Sequence, residues 1–300
     1  MKTGMTYRRF AAGLLLMTAA AFGAGGAALA DDAGGDRAVK ASMDTMQISS
    51  HGAGMNALVY VAAGAGPHPV VILLHGFPGN EKNLDLAQDI RRAGWDVLFF
   101  NYRGSWGSPG DFSFSHGIED VASAIAYLRE PANAKRLRVD PSRIVLVGHS
   151  MGGFMAVQAA SADPSVKAIG MISAADFGGR FVQTQGKGLR ADAIQKTGVA
   201  LAKEGLAPLA GCTADSLAGD IADHAAAWGF VSKAASLKDR KVFVATSDDG
   251  LAPSNDAFVA ALRKAGDADV TTSHFPTDHA YSDQRQELSK ALLQWLATQM

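Results

Sequence analysis

The polarity of the chain changes period several times, and each change marks an element. Apolar and polar residues alternate near Thr45 to Ile48 and again from Ala57 to Ala62, with Gly52 and Gly54 between them, which predicts a β-hairpin. The run "PVVILL", Pro69 to Leu74, is continuously apolar, as in a strand covered on both faces. Leu84, Leu86, Ala87 and Ile90 then recur at helical spacing within about Asn83 to Ala93, and Gly94 supplies a stop signal. "WDVLFF" (95–100) predicts the next strand. Ile118, Val121, Ala122, Ile125 and Leu128 trace a helix, "RIVLVG" (143–148) a third buried strand, and Phe154 to Ala162 a further helix. Strands follow at 166–174, 241–246 and 269–275, with a helix between the last two and a terminal amphipathic helix from Gln286 to Thr298.

This alternation predicts an α/β fold, a mainly parallel central sheet with helices on both faces. The interval from Phe177 to Arg240 departs from it. Strand signal is weak there, whereas Leu217, Ile221, Ala225 and Trp228 have helical spacing after a capping Thr213. The interval is longer than one crossover helix needs. We read residues 177–240 as a small helical cap over the carboxyl edge of the sheet.

Composition separates the first thirty residues from the rest. Lys2, Arg8 and Arg9 precede an apolar stretch from Phe10 to Phe22, and Ala28-Leu29-Ala30 precede Asp31, the layout of a cleaved secretory signal peptide. The expected product is an exported (periplasmic or secreted) domain, residues 31–300, without stable membrane insertion. Arg8-Arg9-Phe10 partly matches a twin-arginine signal and leaves the export route open. The leader holds three of the 28 basic residues and none of the 29 acidic ones, so the remainder is mildly acidic. It carries no basic cluster of the kind that binds nucleic acid. The single cysteine, Cys212, has no internal disulfide partner and reads as an inert side chain in a helical segment.

One polar residue interrupts this apolar logic. Ser150 stands at the end of a buried strand in "GHSMG", a G-x-S-x-G elbow between strand and helix, where a serine hydroxyl projects above the carboxyl edge of a sheet. Side chains at 148 and 152 would collide where the turn is tightest. A serine needs a base to become nucleophilic, and the expected order is serine, acid, histidine. His51, His68, His75 and His116 precede Ser150. His149 adjoins it and is expected to point away, His224 falls in a helix and His274 within a strand. His279, in the loop "PTDHAYSD", remains as the base. "VFVATSDDGLAP" offers Asp248 and Asp249 for the acid, of which Asp249 is favoured and Asp248 read as a turn residue. Backbone N–H groups of Met151 and of Phe77, in "HGFPG", suit an oxyanion hole. Tyr102 and Trp106 either line a substrate pocket or pack behind it. Trp228, ending an apolar helix face before Gly229, is expected to border the cleft.

The motifs HGFPG, GHSMGG, DDGLAP and DHAYSD, in this order, resemble the α/β-hydrolase family over residues 45–300. "FNYRGSWGSPG" (100–110) is similar to segments of prolyl-oligopeptidase-like and dienelactone-hydrolase-like members. The resemblance implies a Ser150–Asp249–His279 triad, with Phe77 and Met151 as oxyanion donors. Prolyl oligopeptidases carry a large propeller before this domain. Here only residues 31–68 separate leader and HGFPG strand, so a small ester substrate is expected rather than a peptide. No H-E-x-x-H, paired-cysteine or P-loop motif is present, and neither metal nor cofactor is expected. An amidase or acyltransferase on the same triad, or an inactive binding protein of this fold, are the alternative readings.

Overall fold

A computed structural model describes residues 39–266 and 269–299. The leader reading, on residues 1–30, lies outside the described residues. Strands β1 (Ser42–Ser50) and β2 (Ala53–Val61) form the expected hairpin, in register Ser42 to Val61. They join β3 (His68–Leu74), β4 (Asp96–Phe100), β5 (Val139–His149), β6 (Ala168–Ile172), β7 (Lys241–Ser247) and β8 (Asp269–Phe275) in one eight-stranded sheet. The order is β1-β2-β4-β3-β5-β6-β7-β8. Pairings β1–β2 and β2–β4 are antiparallel, and every later one is parallel. Every residue of β3, β4 and β6 is buried, which explains why they are apolar apart from His68 and Asp96 at the starts of β3 and β4, whereas the edge strands β1 and β8 expose many of their residues.

Helices cover both faces. On one lie α1 (Leu84–Arg92) and α10 (Arg285–Ala297), whose Leu86, Ile90, Leu288, Leu292 and Trp295 share a core with Val71, Leu73 and Phe243. On the other lie α2 (Phe114–Arg129), α3 (Pro131–Leu137), α4 (Met151–Ala162), α8 (Phe230–Leu237) and α9 (Ala252–Ala265). The short α3, opened by Pro131 at its first position, has too few residues for its periodicity to stand out in the sequence. Helix α4 begins at Met151, three residues before its sequence signal, because the elbow glycines belong to its first turn.

Between β6 and β7 the chain forms α5 (Phe177–Gln185), α6 (Arg190–Glu204), α7 (Ala214–Trp228) and then α8. Thr213 caps α7 as expected: its hydroxyl accepts from the Ser216 N–H, and the Ser216 hydroxyl accepts in return from the Thr213 N–H. Cys212 lies in the loop before this cap rather than in a helix, because the capping box starts the helix only after it. The segment is tied to the sheet domain at separate points. Asp220 accepts from the Ser115 N–H (3.0 Å), Trp106 N–H donates to Pro208 O (2.9 Å), and Ala210 N–H donates to Gly104 O (2.7 Å). Asp176 Oδ1 accepts from both Gly179 N–H and Phe230 N–H, joining the starts of α5 and α8.

Trp228 ends α7 at 6% exposure, its ring against Phe154 (5.3 Å between centroids) and stacked on His224 (4.5 Å). Its carbonyl accepts from Gln158 Nε2 (3.0 Å). It is a packing residue that seats α7 on α4. Trp228→Ala is therefore expected to destabilise the fold by about 3 kcal/mol, the cost of truncating a buried aromatic side chain. Urea unfolding checks this, and an unchanged midpoint would contradict it.

Candidate active site

The site forms where β5 turns into α4. Ser150 adopts φ 56° and ψ −116°, a conformation costly for any residue with a side chain. Neighbouring contacts enforce it. The Ser150 N–H donates to Ile172 O (2.8 Å), and its carbonyl accepts from Ala175 N–H (3.0 Å) and Gly153 N–H (3.1 Å). A Cβ on Gly148 would stand 2.0 Å from Gly152 O, and one on Gly152 2.0 Å from Leu74 O, so both positions require glycine. The Ser150 side chain makes no capping bond to α4 and is half-buried, and among the described residues its hydroxyl has no hydrogen-bond partner.

The segment after β3 lies directly on this elbow. A Cβ on Gly76 would come within 3.1 Å of Ser150 Cβ. His75 anchors the segment: its ring is buried against Tyr102 (4.7 Å) and Phe99 (5.8 Å), and Nδ1–H donates to Gly76 O (2.8 Å). Burial, the largest influence, pushes its pKa down to about 4, so the ring is neutral. Phe77 N–H has no backbone acceptor among the described residues, and Met151 N–H, opening α4, has none within the helix. Two unspent donors thus flank the serine. The half-buried Phe77 ring packs on Phe112 (6.0 Å) and Phe114 (5.7 Å).

Loops after β7 and β8 bring Asp249 and His279 together, with Nδ1–H donating to Oδ2 at 2.7 Å. This fixes the tautomer and leaves Nε2 with the lone pair. Burial opposes the charge on Asp249. Hydrogen bonds from His279, the Leu251 N–H (2.8 Å) and Ser173 outweigh it and hold the carboxyl well below the usual carboxylate range. Asp248 pairs instead with His274, Oδ1 to Nε2 at 3.2 Å, on a surface where both side chains are more than half exposed. His274 Nδ1 meets the Thr246 hydroxyl at 3.0 Å.

His149 is more engaged than its sequence position suggests. Its Nε2–H donates to His279 O (2.8 Å), and the two rings lie 4.6 Å apart. Burial first, then the neighbouring His279, lowers its pKa to about 4, so it supports the His279 loop as a neutral ring. A polar residue ending an otherwise buried strand was the available signal.

The three aromatic residues suggested for substrate contact are packing groups to different degrees. Tyr102 is wholly buried behind the HGFPG segment and directs its hydroxyl to His75 O (3.4 Å), so it has no surface for a ligand. Trp106 is half-buried, donates Nε1–H to Pro78 O (2.8 Å) and carries Lys82 Nζ 4.2 Å over its ring, so it braces the same segment from outside. Trp228 is in the core, as described above.

Comparisons with known proteins agree with this architecture. A family model for the alpha/beta hydrolase fold matches residues 69–219, which include HGFPG and GHSMG. An uncharacterized 31.7 kDa protein from the traX-finO intergenic region of Escherichia coli is 36% identical over 107 residues, covering 34% of this chain and 36% of its own. The match thus spans about a third of that relative. An uncharacterized protein of Mycobacterium tuberculosis is 33% identical over 93 residues, 31% of each chain. Among solved structures, Est1E from Butyrivibrio proteoclasticus with bound ferulic acid superposes with TM-score 0.64 at 18% identity, over 85% of this chain and 98% of its own. A hyperthermophilic esterase from the archaeon Pyrobaculum calidifontis gives 0.63 at 19% identity, over 86% and 85%. A lipase in its open form gives 0.65 at 15% identity, over 86% and 99%. At these identities the superpositions speak to fold. With the family model matching half the chain, the conclusion is plain: the protein belongs to the α/β-hydrolase fold family.

Proposed function

We propose that this chain is an exported serine hydrolase that cleaves carboxylic esters of small molecules through an acyl-enzyme on Ser150. The observation that carries the reading is the 2.7 Å bond from His279 to a strongly ionised Asp249, in a loop that His149 joins to the elbow. His279 Nε2 takes the Ser150 proton as the hydroxyl oxygen attacks the ester carbonyl. The carbonyl oxygen gains negative charge, and the N–H groups of Phe77 and Met151 stabilise it. The C–O bond to the alcohol then breaks, His279 returns the proton to the departing oxygen, and water attacks the acyl-enzyme by the reverse sequence. Asp249 keeps His279 in the required tautomer and balances the imidazolium. Helices α5 to α7 serve as a cap over the carboxyl edge, with the half-buried Phe77 and Phe177 as the rings nearest the acyl group. Export rests on the leader, and fractionation of the source cells with sequencing of the mature N-terminus near Asp31 tests it.

A fluorophosphonate probe should label Ser150 covalently, and Ser150→Ala should abolish both labelling and turnover of p-nitrophenyl acetate, a loss on the order of 10⁴ to 10⁶. A wild-type protein that takes no label would instead be a binding protein of this fold. The parallel carboxylates give a second test. Asp249→Asn removes the negative charge and sets an amide NH₂ group beside His279 that favours the wrong tautomer, and is expected to cost about 10⁴-fold in kcat, whereas Asp248→Asn, which loses only an exposed pair, should stay within a few-fold (about 2–3) of wild type. Equal losses would refute the assignment.

The pH dependence has a definite sign. Asp249 is already ionised and His149 already neutral between pH 5 and 8. The fall of kcat/KM toward acid pH therefore belongs to His279, which once protonated cannot accept the serine proton. His274→Ala should preserve that acid limb. Its disappearance in this variant would place the base in the wrong loop.

A further inference from the structure

Ser173 and Tyr281 hold left-handed backbone angles without being glycine, with φ 42° and φ 58°. Such conformations cost roughly 1–3 kcal/mol each and persist where surroundings over-determine them. Both residues are wholly buried at the carboxyl edge, close to the Asp249–His279 pair. Tyr281 follows His279 by two positions, and Ser173 follows β6 directly.

A short chain of hydroxyls runs from Tyr281 through Ser173 to the end of the strand that leads into Asp249. The Tyr281 phenol is 2.9 Å from Ser173 Oγ, which is 3.0 Å from Ser247 Oγ. Ser247 ends β7, two positions before Asp249. The Ser173 hydroxyl, after His279 and the Leu251 N–H, is the third group that holds the Asp249 carboxyl low. The Tyr281 ring packs edge-on against Phe275, 5.5 Å away, which fixes where the phenol points. Burial pushes the phenol up to about 12, so it remains an O–H donor at neutral pH. With Tyr281 donating to Ser173, the Ser173 proton is free to turn toward Asp249 or Ser247.

We propose that Tyr281 is a positioning residue: through Ser173 it locks the loop bearing His279 to the strand ends bearing Asp249, so that their hydrogen bond is formed before substrate arrives. This deepens the hydrolase reading of the same site and rests on it for its kinetic consequence. Preorganisation matters because small misplacements of a base cost far more in rate than in stability. Other charged or titratable groups near the pair are His149, against the His279 ring, Arg285, which donates to Ala280 O at 3.1 Å, and Asp278, whose carboxylate is bonded to Ser282. Among the described residues none of them is bonded to the phenol oxygen, whose partner is Ser173.

Tyr281→Phe keeps the ring and deletes only the hydroxyl, and Ser173→Ala deletes the bridging oxygen from the other side. In ¹⁵N-labelled full-length protein, the His279 titration midpoint is followed by NMR in wild type and both variants. A loosened Asp249 contact stabilises the imidazolium less, so the midpoint should move to lower pH in each variant. On p-nitrophenyl acetate, kcat should fall roughly tenfold with KM unchanged, and the double variant should lose less than the two single losses combined. A midpoint that stays in place in both variants, with only the melting temperature lowered, overturns the proposal and leaves Tyr281 a packing residue. The midpoint needs no turnover, so it decides the positioning role even if wild type fails to hydrolyse the ester or take the phosphonate. That failure would remove the hydrolase reading alone.

Discussion

The backbone contact between β3, β5 and the start of α4 is the constraint on which the rest depends. Gly152 sits against Leu74 O and Gly148 against Gly152 O, at separations no side chain would permit. Helix α4 is buried along nearly its whole length, so it cannot shift outward to relieve the crowding. The strain therefore stays at Ser150, the one residue of the turn with a side chain free to project. The same contact brings the segment after β3 against the elbow and leaves the Met151 N–H at the positive end of the α4 dipole. The strained serine and the nucleophile and donor roles proposed around it go back to one packing contact.

Electrostatics separates the three imidazoles around the elbow on grounds independent of their order in the chain. His75 and His149 are buried with a backbone carbonyl as their acceptor, so each is neutral and has a structural task. His279 is partly open to solvent, and its Nδ1 faces a carboxylate rather than a carbonyl. A developing positive charge is tolerated on that ring and opposed on the other two. Differences in burial and partner decide which histidine can move a proton.

Much of this was legible in the sequence, and the limits have physical causes. The strands, the elbow, the Thr213 cap and the positions of Asp249 and His279 declare themselves because local spacing determines them: period, glycine placement and residue order. Asp249 was favoured over Asp248 on turn chemistry alone, since both follow β7, and only the third dimension shows each facing its own histidine. Tyr102, left open between pocket and packing, and Trp228, expected at the cleft, are both buried side chains, and the sequence could not show this for a related reason. An aromatic residue at a strand or helix end is consistent with a pocket or with a core, and long-range packing decides. Tyr281 drew no notice at all, since its partner Ser173, and Ser247 beyond it, are far away in the chain and leave no mark in the local pattern.

The aromatic packing around the elbow bears on how selectivity and rate would be linked in the proposed enzyme. Phe77, Phe114, Phe177, Phe154 and Trp228 form a continuous series of ring contacts, with centroids 4.4–5.7 Å apart, from the HGFPG segment to α7. Phe77 contributes its ring to this series and its backbone N–H to the region beside Ser150. The helical segment is also bonded to the sheet domain through Asp176, Asp220 and the residues around Gly104, so it rests on those rings with little freedom to pivot. A substrate group that displaced Phe77 would thereby disturb an oxyanion donor as well as a hydrophobic wall. Acyl groups of different shape should consequently be distinguished in kcat, through the placement of that donor, and not in binding alone.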